Sequence, residues 1–421
     1  MITCERFVYQ SFTHTATGLV CDGVSVESIV ERVDTPVYIY SAGAIRDAYR
    51  AIDDAFAVYP HRIHYALKAN STLAIVRLIR SLGGAVDANS GGEIQVALRA
   101  GCAPEEIVFT GVGKRNDELE HAIAIGVNVI NAESAGELDR IASLAAAQGR
   151  QARVALRVNP DIDAGSHPNI STGLKINKFG VPLQEARSMY RERRNRPGLR
   201  FVGVHVHIGS QITTIDPLRR AASTLAALAL ELRDDGIALE HLDIGGGLGI
   251  AYERRPIISA ADYASAVIPE LRRTGLPALL EPGRAIVGRA GALIARVVDT
   301  KRYPDGRRFA VLDAGMAELV RPALYGSYHQ IVAVRPRQSQ ETTWDIVGPI
   351  CESSDVFARG RTLPSIEVGD LMGILDTGAY GSVMASNYNR HLLPAEVLVS
   401  EGNWTLIRRR QTIDDVLALE L

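Results

Sequence analysis

Residues 63–90 read IHYALKANSTLAIVRLIRSLGGAVDANS and set the pattern for the middle of the chain. Two short apolar runs, IHYALKAN and GAVDANS, flank a segment in which Leu and Ile recur every three or four residues. Short apolar runs are typical of buried strands, whereas a period near 3.6 is typical of a helix with one apolar face. The stretch therefore predicts a strand–helix–strand unit of a parallel sheet.

The same alternation continues to about residue 284. Further candidate strands are EIVFTG (106–111), VNVINAES (127–134), RVALRVNP (153–160), FVGVHVHIGS (201–210), HLDIGGG (241–247) and ALLEPGR (278–284). Together with the first two, they make eight strand–helix units, so we predict an α/β fold with a closed (β/α)8 barrel of the TIM type.

The alternation stops after Arg284. Strand-like segments such as FAVLDAG, TWDIVGPI and AEVLVSEG follow, separated by Gly, Pro and Asp turns. We predict a mainly β C-terminal domain, which the strand-like N-terminal segment joins. The predicted domains are a barrel at 36–285 and a β domain at 1–35 plus 286–421. The short run VYIYSA near the boundary is ambiguous by pattern alone.

Composition and charge exclude several classes of protein. The formal net charge is −2 and no basic stripe is present, which argues against nucleic acid as a partner. Cys4, Cys21, Cys102 and Cys351 lie far apart without CxxC pairs, so neither a zinc site nor a disulfide framework is expected. Residues 1–10 lack the pattern of a leader peptide, and no apolar run approaches 18 residues. We expect a cytoplasmic protein without a membrane partner or a metal.

Polar residues fall at the ends of the predicted barrel strands. Lys68, Asp87, His207, Glu281 and Arg284 all do so, and a glycine cluster ends the seventh strand. Loops at the carboxyl ends of barrel strands converge on one mouth, where barrel enzymes carry their chemistry. Any one of these residues alone can be a capping or surface residue, but their coincidence predicts an active site.

Lys68 follows the apolar run Tyr65-Ala66-Leu67, which places its amine in a partly dry site. An amine in such a site can act as a nucleophile and can bond covalently to a carbonyl cofactor. A lysine that stood alone at a strand end could equally extend into solvent.

The run Gly245-Gly246-Gly247-Leu248-Gly249 resembles a phosphate cradle, because glycine lets backbone N–H groups approach an anion closely. It matches neither GxGxxG, since Ile250 occupies the last position, nor the P-loop pattern. A flexible turn is the alternative. Ser210 can donate a further hydrogen bond to the same phosphate, and His207 can lie against a flat ring.

Glu281 distinguishes between reaction types. A carboxylate beside a pyridine nitrogen keeps that nitrogen protonated, which makes the cofactor a strong electron sink. An arginine in its place would favour racemase chemistry. Glu281 therefore favours loss of a carboxylate over racemisation.

These residues lie in longer motifs that together carry a family resemblance. The motifs are TPVYIYSAGAIR (35–46), YALKAN (65–70), NPDIDAGSHPNISTGLKINKFG (159–180), HIGSQ (207–211), GGGLG (245–249), EPGR (281–284), DAGMAELVRPALYGSYH (313–329), GPICESSD (348–355) and GAYG (378–381). Through them the chain resembles, nearly end to end, the diaminopimelate decarboxylases, which are pyridoxal-phosphate enzymes of the alanine-racemase-like fold group.

The resemblance implies a role for each matched residue. Lys68 is the Schiff-base lysine, His207 stacks on the cofactor ring and Glu281 faces the pyridine nitrogen. The remaining implied contacts to pyridoxal 5'-phosphate come from Asp87, Ser210, Gly245, Gly246, Gly247, Pro282, Gly283, Arg284 and Tyr380. The implied substrate contacts come from Arg284, Arg321, Tyr325, Glu352 and Tyr380. Cys351 is the implied proton donor.

The resemblance also implies a homodimer with shared active sites, because the CESxD loop of this family enters the partner's site. The implied reaction converts meso-2,6-diaminopimelate to L-lysine and CO2, the last step of lysine biosynthesis. Ala88-Asn89 and Ala317 depart from the family pattern, but none of them has an assigned chemical role. The alternatives are a decarboxylase of ornithine, lysine or arginine, an amino-acid racemase, and a catalytically silent regulator with the same fold.

Overall fold

The computed structural model describes residues 11–165, 172–174, 177–253, 257–335, 337 and 339–421. Residues 1–10, where the pattern of a leader peptide is not expected, lie outside this range, as does part of the motif at 159–180. Every described helix is too short or too polar to span a membrane. The chain divides into a β unit (Met1–Ala48, Tyr252–Arg255 and Ile286–Leu421) and a barrel unit (Tyr49–Ala251 and Pro256–Ala285).

The described strands and helices are as follows. The strands are β1 (Phe12–Thr15), β2 (Gly18–Cys21), β3 (Val24–Ser25), β4 (Val37–Ser41), β5 (His61–Ala66), β6 (Ala85–Ala88), β7 (Ile107–Phe109), β8 (Val129–Ala132), β9 (Ala152–Asn159), β10 (Val181–Pro182), β11 (Leu199–Val206), β12 (His241–Asp243), β13 (Ala278–Leu280), β14 (Gly291–Arg302), β15 (Arg308–Leu312), β16 (Ile331–Ala333), β17 (Thr342–Val347), β18 (Val356–Leu363), β19 (Leu371–Ile374), β20 (Ala395–Ser400) and β21 (Asn403–Arg408). The helices are α1 (Val26–Val33), α2 (Ala42–Phe56), α3 (Leu73–Ser81), α4 (Gly91–Arg99), α5 (Asn116–Ile125), α6 (Ala135–Ala147), α7 (Leu183–Arg191), α8 (Ile215–Asp234), α9 (Ala260–Arg272), α10 (Arg284–Val287), α11 (Arg321–Tyr325) and α12 (Ile413–Leu417).

The barrel unit contains a closed ring of eight parallel strands in the order β5-β6-β7-β8-β9-β11-β12-β13. The ring closes where β13 pairs with β5, with Ala278 opposite His61 and Leu280 opposite Ile63. All eight predicted strands are present, so the predicted (β/α)8 barrel is confirmed. The short strand β10 pairs with β9 outside the ring.

Serine side chains that follow the strands cap the N-termini of barrel helices. Ser90 Oγ accepts a hydrogen bond from the Glu93 N–H at 3.2 Å, and Ser134 Oγ accepts one from the Glu137 N–H at 3.1 Å. Each serine satisfies an N–H group that the first turn of a helix leaves without a partner. The long helix α8 then buries a face of Leu and Ala side chains at spacings of three and four, as its sequence predicts.

The β unit contains a mixed sheet in the order β18-β17-β15-β14-β4-β20-β21, to which β16 and β19 add, and a separate sheet of β1, β2 and β3. The predicted mainly β domain with N-terminal strands is therefore confirmed. Strand β4 lies between β14, to which it runs antiparallel, and β20, to which it runs parallel. The sequence predicts that the barrel domain starts at residue 36, whereas Val37–Ser41 forms this strand of the β unit.

Buried histidines in the barrel predict an acid-sensitive fold. Burial lowers the pKa of His64 from 6.5 to about 4. The unfolded chain then binds more protons than the folded chain between pH 6.5 and 4, so the free energy of unfolding falls as the pH drops through that window. The full effect of His64 is about 3 kcal/mol. We expect His64→Asn to flatten the fall in thermal midpoint between pH 7 and pH 5.

The matched control is His14→Asn, because His14 is an exposed histidine. This variant should lose thermal stability toward pH 5 as the wild type does. An equally steep loss in His64→Asn would contradict the role assigned to His64.

Candidate active site

Lys68 lies directly after β5, at the carboxyl end of the barrel strands. Its Nζ donates hydrogen bonds to Asp87 Oδ2 at 2.9 Å and to Asn89 Oδ1 at 3.5 Å. The Asp87 side chain is fully buried at the end of the neighbouring strand β6. The amine is thus held at the barrel mouth by the next strand in the ring, as the two strand-end residues predict.

Glu281 follows β13, is 2% exposed and contacts neighbouring polar side chains. Its Oε2 lies 3.2 Å from His205 Nε2, and its Oε1 accepts a hydrogen bond from Thr110 Oγ1 at 3.5 Å. Burial raises the pKa of Glu281, but His205 and Lys68 lower it more, so that the pKa lies below its ordinary value. The carboxylate is therefore ionised at neutral pH.

Asp243, at the end of β12, lies close to Glu281, and its pKa is shifted in the opposite direction. Burial and the charge of Glu281 raise the pKa of Asp243 well above its ordinary value. One polar side-chain atom from each of His205, Asp243 and Glu281 lies within 4.8 Å of the other two. Of the two carboxyls, Asp243 holds the proton and Glu281 the charge. These residue types also bind metals, and our expectation of no metal stays a prediction.

His207 is uncharged in the structure. The Gly246 N–H donates a hydrogen bond to His207 Nδ1 at 3.2 Å, which leaves that nitrogen without a proton. Burial and the nearby charge of Lys68 lower the pKa of His207 well below its ordinary value. A neutral flat ring at this position suits contact with a flat aromatic ligand.

The glycines of residues 245–249, called the glycine loop below, and Gly283 lie too close to neighbouring atoms to carry a side chain. A Cβ on Gly246 would lie 2.1 Å from the Glu281 carbonyl oxygen, and one on Gly283 would lie 2.8 Å from Ala69 Cβ. The Pro282 carbonyl between them accepts a hydrogen bond from the Ala66 N–H at 3.2 Å. These contacts draw the ends of β5, β12 and β13 together beneath the barrel mouth.

A hydroxyl and a guanidinium lie together beside this loop. Arg284 donates to Ser210 Oγ from Nη2 at 3.0 Å and from Nε at 3.3 Å. A guanidinium, a hydroxyl and close-packed backbone N–H groups are donors that suit a phosphate. These donors suit the phosphate of pyridoxal phosphate. The amine of Lys68 suits its aldehyde, and the ionised Glu281 suits its ring nitrogen.

The structure thus brings most of the predicted cofactor residues together in the barrel unit. The other predicted residues lie in the β unit: Arg321, Tyr325, Cys351, Glu352 and Tyr380. Arg321 is 5% exposed, whereas Cys351 and Glu352 are exposed. Tyr380 has a φ of 57°, a backbone conformation that non-glycine residues adopt at a cost of roughly 1 kcal/mol and that is common at functional sites.

Glu352 has a defined environment within the β unit. Its Oε1 accepts a hydrogen bond from Tyr388 Oη at 2.6 Å, and its Oε2 accepts one from Ser354 Oγ at 2.9 Å. The bonds from Tyr388 and then Ser354 lower the pKa of Glu352. The Glu352 carboxylate is therefore ionised at neutral pH and can bind a cation.

Sequence reasoning missed the residues that support the predicted ones. His205 and Asp243 contact or face Glu281, Asn89 contacts Lys68, and Tyr388 contacts Glu352. One signal was available, since His205 and Asp243 are polar residues within otherwise apolar strand runs. Such a residue in a barrel strand points to a polar interior.

A family model described as the pyridoxal binding domain of pyridoxal-dependent decarboxylases matches residues 42–288. This match covers the barrel with Lys68, the glycine loop and Glu281, and it defines the class as pyridoxal-dependent decarboxylases.

Similarity to individual proteins extends over nearly the whole chain. Diaminopimelate decarboxylase of Neisseria meningitidis serogroup A is 45% identical over 96% of this chain and 99% of the relative. Diaminopimelate decarboxylase of Pseudomonas fluorescens is 43% identical over 97% and 98%. The crystal structure of the Helicobacter pylori diaminopimelate decarboxylase complexed with L-lysine has a TM-score of 0.90 at 41% identity and covers 94% of this chain and 98% of that one. The chain therefore belongs to the diaminopimelate decarboxylase family.

Proposed function

We propose that this protein removes CO2 from meso-2,6-diaminopimelate and releases L-lysine, the last step of lysine biosynthesis. The observation that carries the choice of substrate is the buried guanidinium of Arg321 in the β unit. Diaminopimelate has a second carboxylate, and a bidentate arginine–carboxylate pair is geometrically demanding. Ornithine or lysine as substrate would lack that group and leave the arginine without its ligand.

The cofactor would be held by residues of the barrel unit. Lys68 would bond to it covalently, Glu281 would pair with the ring nitrogen, His207 would lie against the ring, and Ser210 and Arg284 would bind the phosphate with the glycine loop. When bound, pyridoxal phosphate supplies an aldehyde that an amine can attack and a ring that withdraws electrons from the substrate's α-carbon.

The chain's own groups prepare the site for this chemistry. Asp87 orients the amine of Lys68 through the bond of 2.9 Å. Glu281 is an anion because His205 and Lys68 lower its pKa by more than burial raises it. It can therefore hold a proton on the ring nitrogen, which favours decarboxylation over the racemase alternative. His207 remains neutral and adds no charge against the ring.

The β unit supplies the groups for the rest of the substrate. Cys351 returns a proton to the α-carbon after CO2 has left, and Tyr325 and Tyr380 contact the substrate, as does Arg284 of the barrel unit. Arg321 binds the carboxylate at the non-reacting end of the substrate, and Glu352 binds the ammonium group at that end. A carboxylate whose pKa is lowered by Tyr388 and Ser354 supports that role for Glu352.

The assembly is proposed as a homodimer with shared sites. The exposed positions of Cys351 and Glu352 support this assembly, since groups at a surface can reach a second copy. A cytoplasmic location is proposed as well. Its support is the free thiols of Cys21, Cys102 and Cys351, of which Cys351 is exposed, because an exposed free thiol persists best in a reducing compartment.

Substrate choice is tested by incubating the holoenzyme separately with meso-diaminopimelate, L-lysine and L-ornithine and identifying the amine released. We expect L-lysine from diaminopimelate and a preference on the order of 10⁴ in kcat/KM over the other two, because a site built for a polar group rejects analogues that lack it. Arg321→Met should reduce that preference by weakening the reaction with diaminopimelate. Equal turnover of L-lysine or L-ornithine would refute the proposed substrate.

A further inference from the structure

Three side chains of the β unit hold the guanidinium of Arg321. Its Nη1 donates hydrogen bonds to Tyr252 Oη at 2.9 Å and to His329 Nε2 at 3.2 Å, and its Nη2 donates to Ser327 Oγ at 3.3 Å. All three acceptors are uncharged groups, so these contacts orient the guanidinium without adding a negative charge to it.

His329 is fixed as a hydrogen-bond acceptor by the bond on its other side. Nδ1 of this fully buried ring donates to the Leu375 carbonyl oxygen at 2.8 Å. A carbonyl only accepts, so Nδ1 carries a proton, and a guanidinium only donates, so Nε2 carries none. The ring is therefore neutral, with its Nε2 lone pair directed at Arg321.

Tyr252 contacts Arg321 with its ring as well as its hydroxyl. The Arg321 Cζ lies 4.9 Å from the centroid of the Tyr252 ring, and the Tyr252 and His329 rings meet edge to face at 5.4 Å. A guanidinium that both lies over a ring and donates several hydrogen bonds has little freedom to rotate.

We propose that His329 and Tyr252 are positioning residues that hold Arg321 in the orientation needed to pair with the carboxylate at the far end of the substrate. By holding Arg321, they make the enzyme selective for substrates that carry that carboxylate. The inference rests on the proposed function and deepens it. Because a bidentate pair tolerates little rotation of either plane, loss of one contact should weaken binding of the carboxylate and leave the reacting end unchanged.

The test compares two ligands of the holoenzyme, L-lysine and cadaverine. They share a five-carbon diamine chain, and L-lysine alone carries a carboxylate. In Tyr252→Phe and His329→Leu, we expect the Kd of L-lysine to rise roughly ten-fold, the scale of one lost hydrogen bond to a charged group, while the Kd of cadaverine stays constant. KM for diaminopimelate should rise by a similar factor with a smaller change in kcat.

Two further variants separate positioning from general damage. Tyr303→Phe is the matched control, since Tyr303 is an exposed residue of the same unit whose ring lies 5.2 Å from Arg307 Cζ. It should leave both Kd values unchanged. His329→Gln, which offers an amide oxygen to Arg321, should retain more L-lysine affinity than His329→Leu.

The outcomes distinguish this inference from the proposed function. Equal weakening of both ligands, or no weakening of either, in a folded Tyr252→Phe protein would overturn the positioning role. Should His329→Leu fail to fold, Tyr252→Phe and His329→Gln still decide the question. A wild-type enzyme that binds L-lysine no better than cadaverine and does not release CO2 from diaminopimelate would instead refute the proposed function.

Discussion

Lys68→Ala is expected to abolish decarboxylation, lowering kcat by at least about 10³-fold, because the covalent bond to the cofactor is lost. The amine lies at the barrel mouth on Asp87, and alanine offers no nucleophile in its place. Release of CO2 from diaminopimelate measures the effect. Borohydride reduction of the wild-type holoenzyme, followed by mass spectrometry of its peptides, should locate the pyridoxyl group on Lys68.

Lys301→Ala is the control, since Lys301 is an exposed lysine on strand β14. It should retain wild-type kcat. Substantial turnover by Lys68→Ala, or a pyridoxyl group attached to another residue, would contradict the assignment of Lys68.

Cys351→Ala is expected to give the second large loss, about 10²- to 10⁴-fold in kcat, which is the usual contribution of a positioned proton donor. The cofactor content of the purified enzyme should stay at the wild-type level, because Cys351 lies in the β unit and the proposed cofactor contacts of Lys68 and Glu281 in the barrel. Ser353→Ala, a neighbouring change on the same loop, should have little effect. Loss of cofactor with loss of activity would argue against a proton-donor role.

Mixing the two inactive variants tests whether the sites are shared. A hybrid dimer of Lys68→Ala and Cys351→Ala subunits has one intact site if Cys351 acts in the partner's barrel. Half of the dimers in an equal mixture are hybrids, so roughly a quarter of wild-type activity should return. If subunit exchange is demonstrated and no activity returns, each subunit contains its own complete site.

Much of the barrel could be predicted because its signals are local. Each strand is a short apolar run, and residues such as Lys68, Asp87 and Glu281 stand where those runs end. Since parallel strands in a barrel end at the same face, the sequence positions of these residues already imply their proximity. The structure adds the distances and the charge states.

Other features depend on contacts between distant parts of the chain. The run VYIYS is buried at every position, which suits either a barrel strand or a central strand of another sheet, and only pairing with β14 and β20 decides between them. The same holds for the neighbours of Glu281 and Arg321. His205 approaches Glu281, and Tyr252 approaches Arg321, only after the chain has folded.

The junction of β13 with β5 has a consequence for how the enzyme matures. Lys68 follows the first strand of the ring and Glu281 follows the last, so a growing polypeptide brings the two together only when the whole ring has been synthesised and closed. A chain interrupted before β13 contains the nucleophilic Lys68 but lacks the carboxylate of Glu281. Acquisition of the coenzyme should therefore report completed ring closure during biosynthesis.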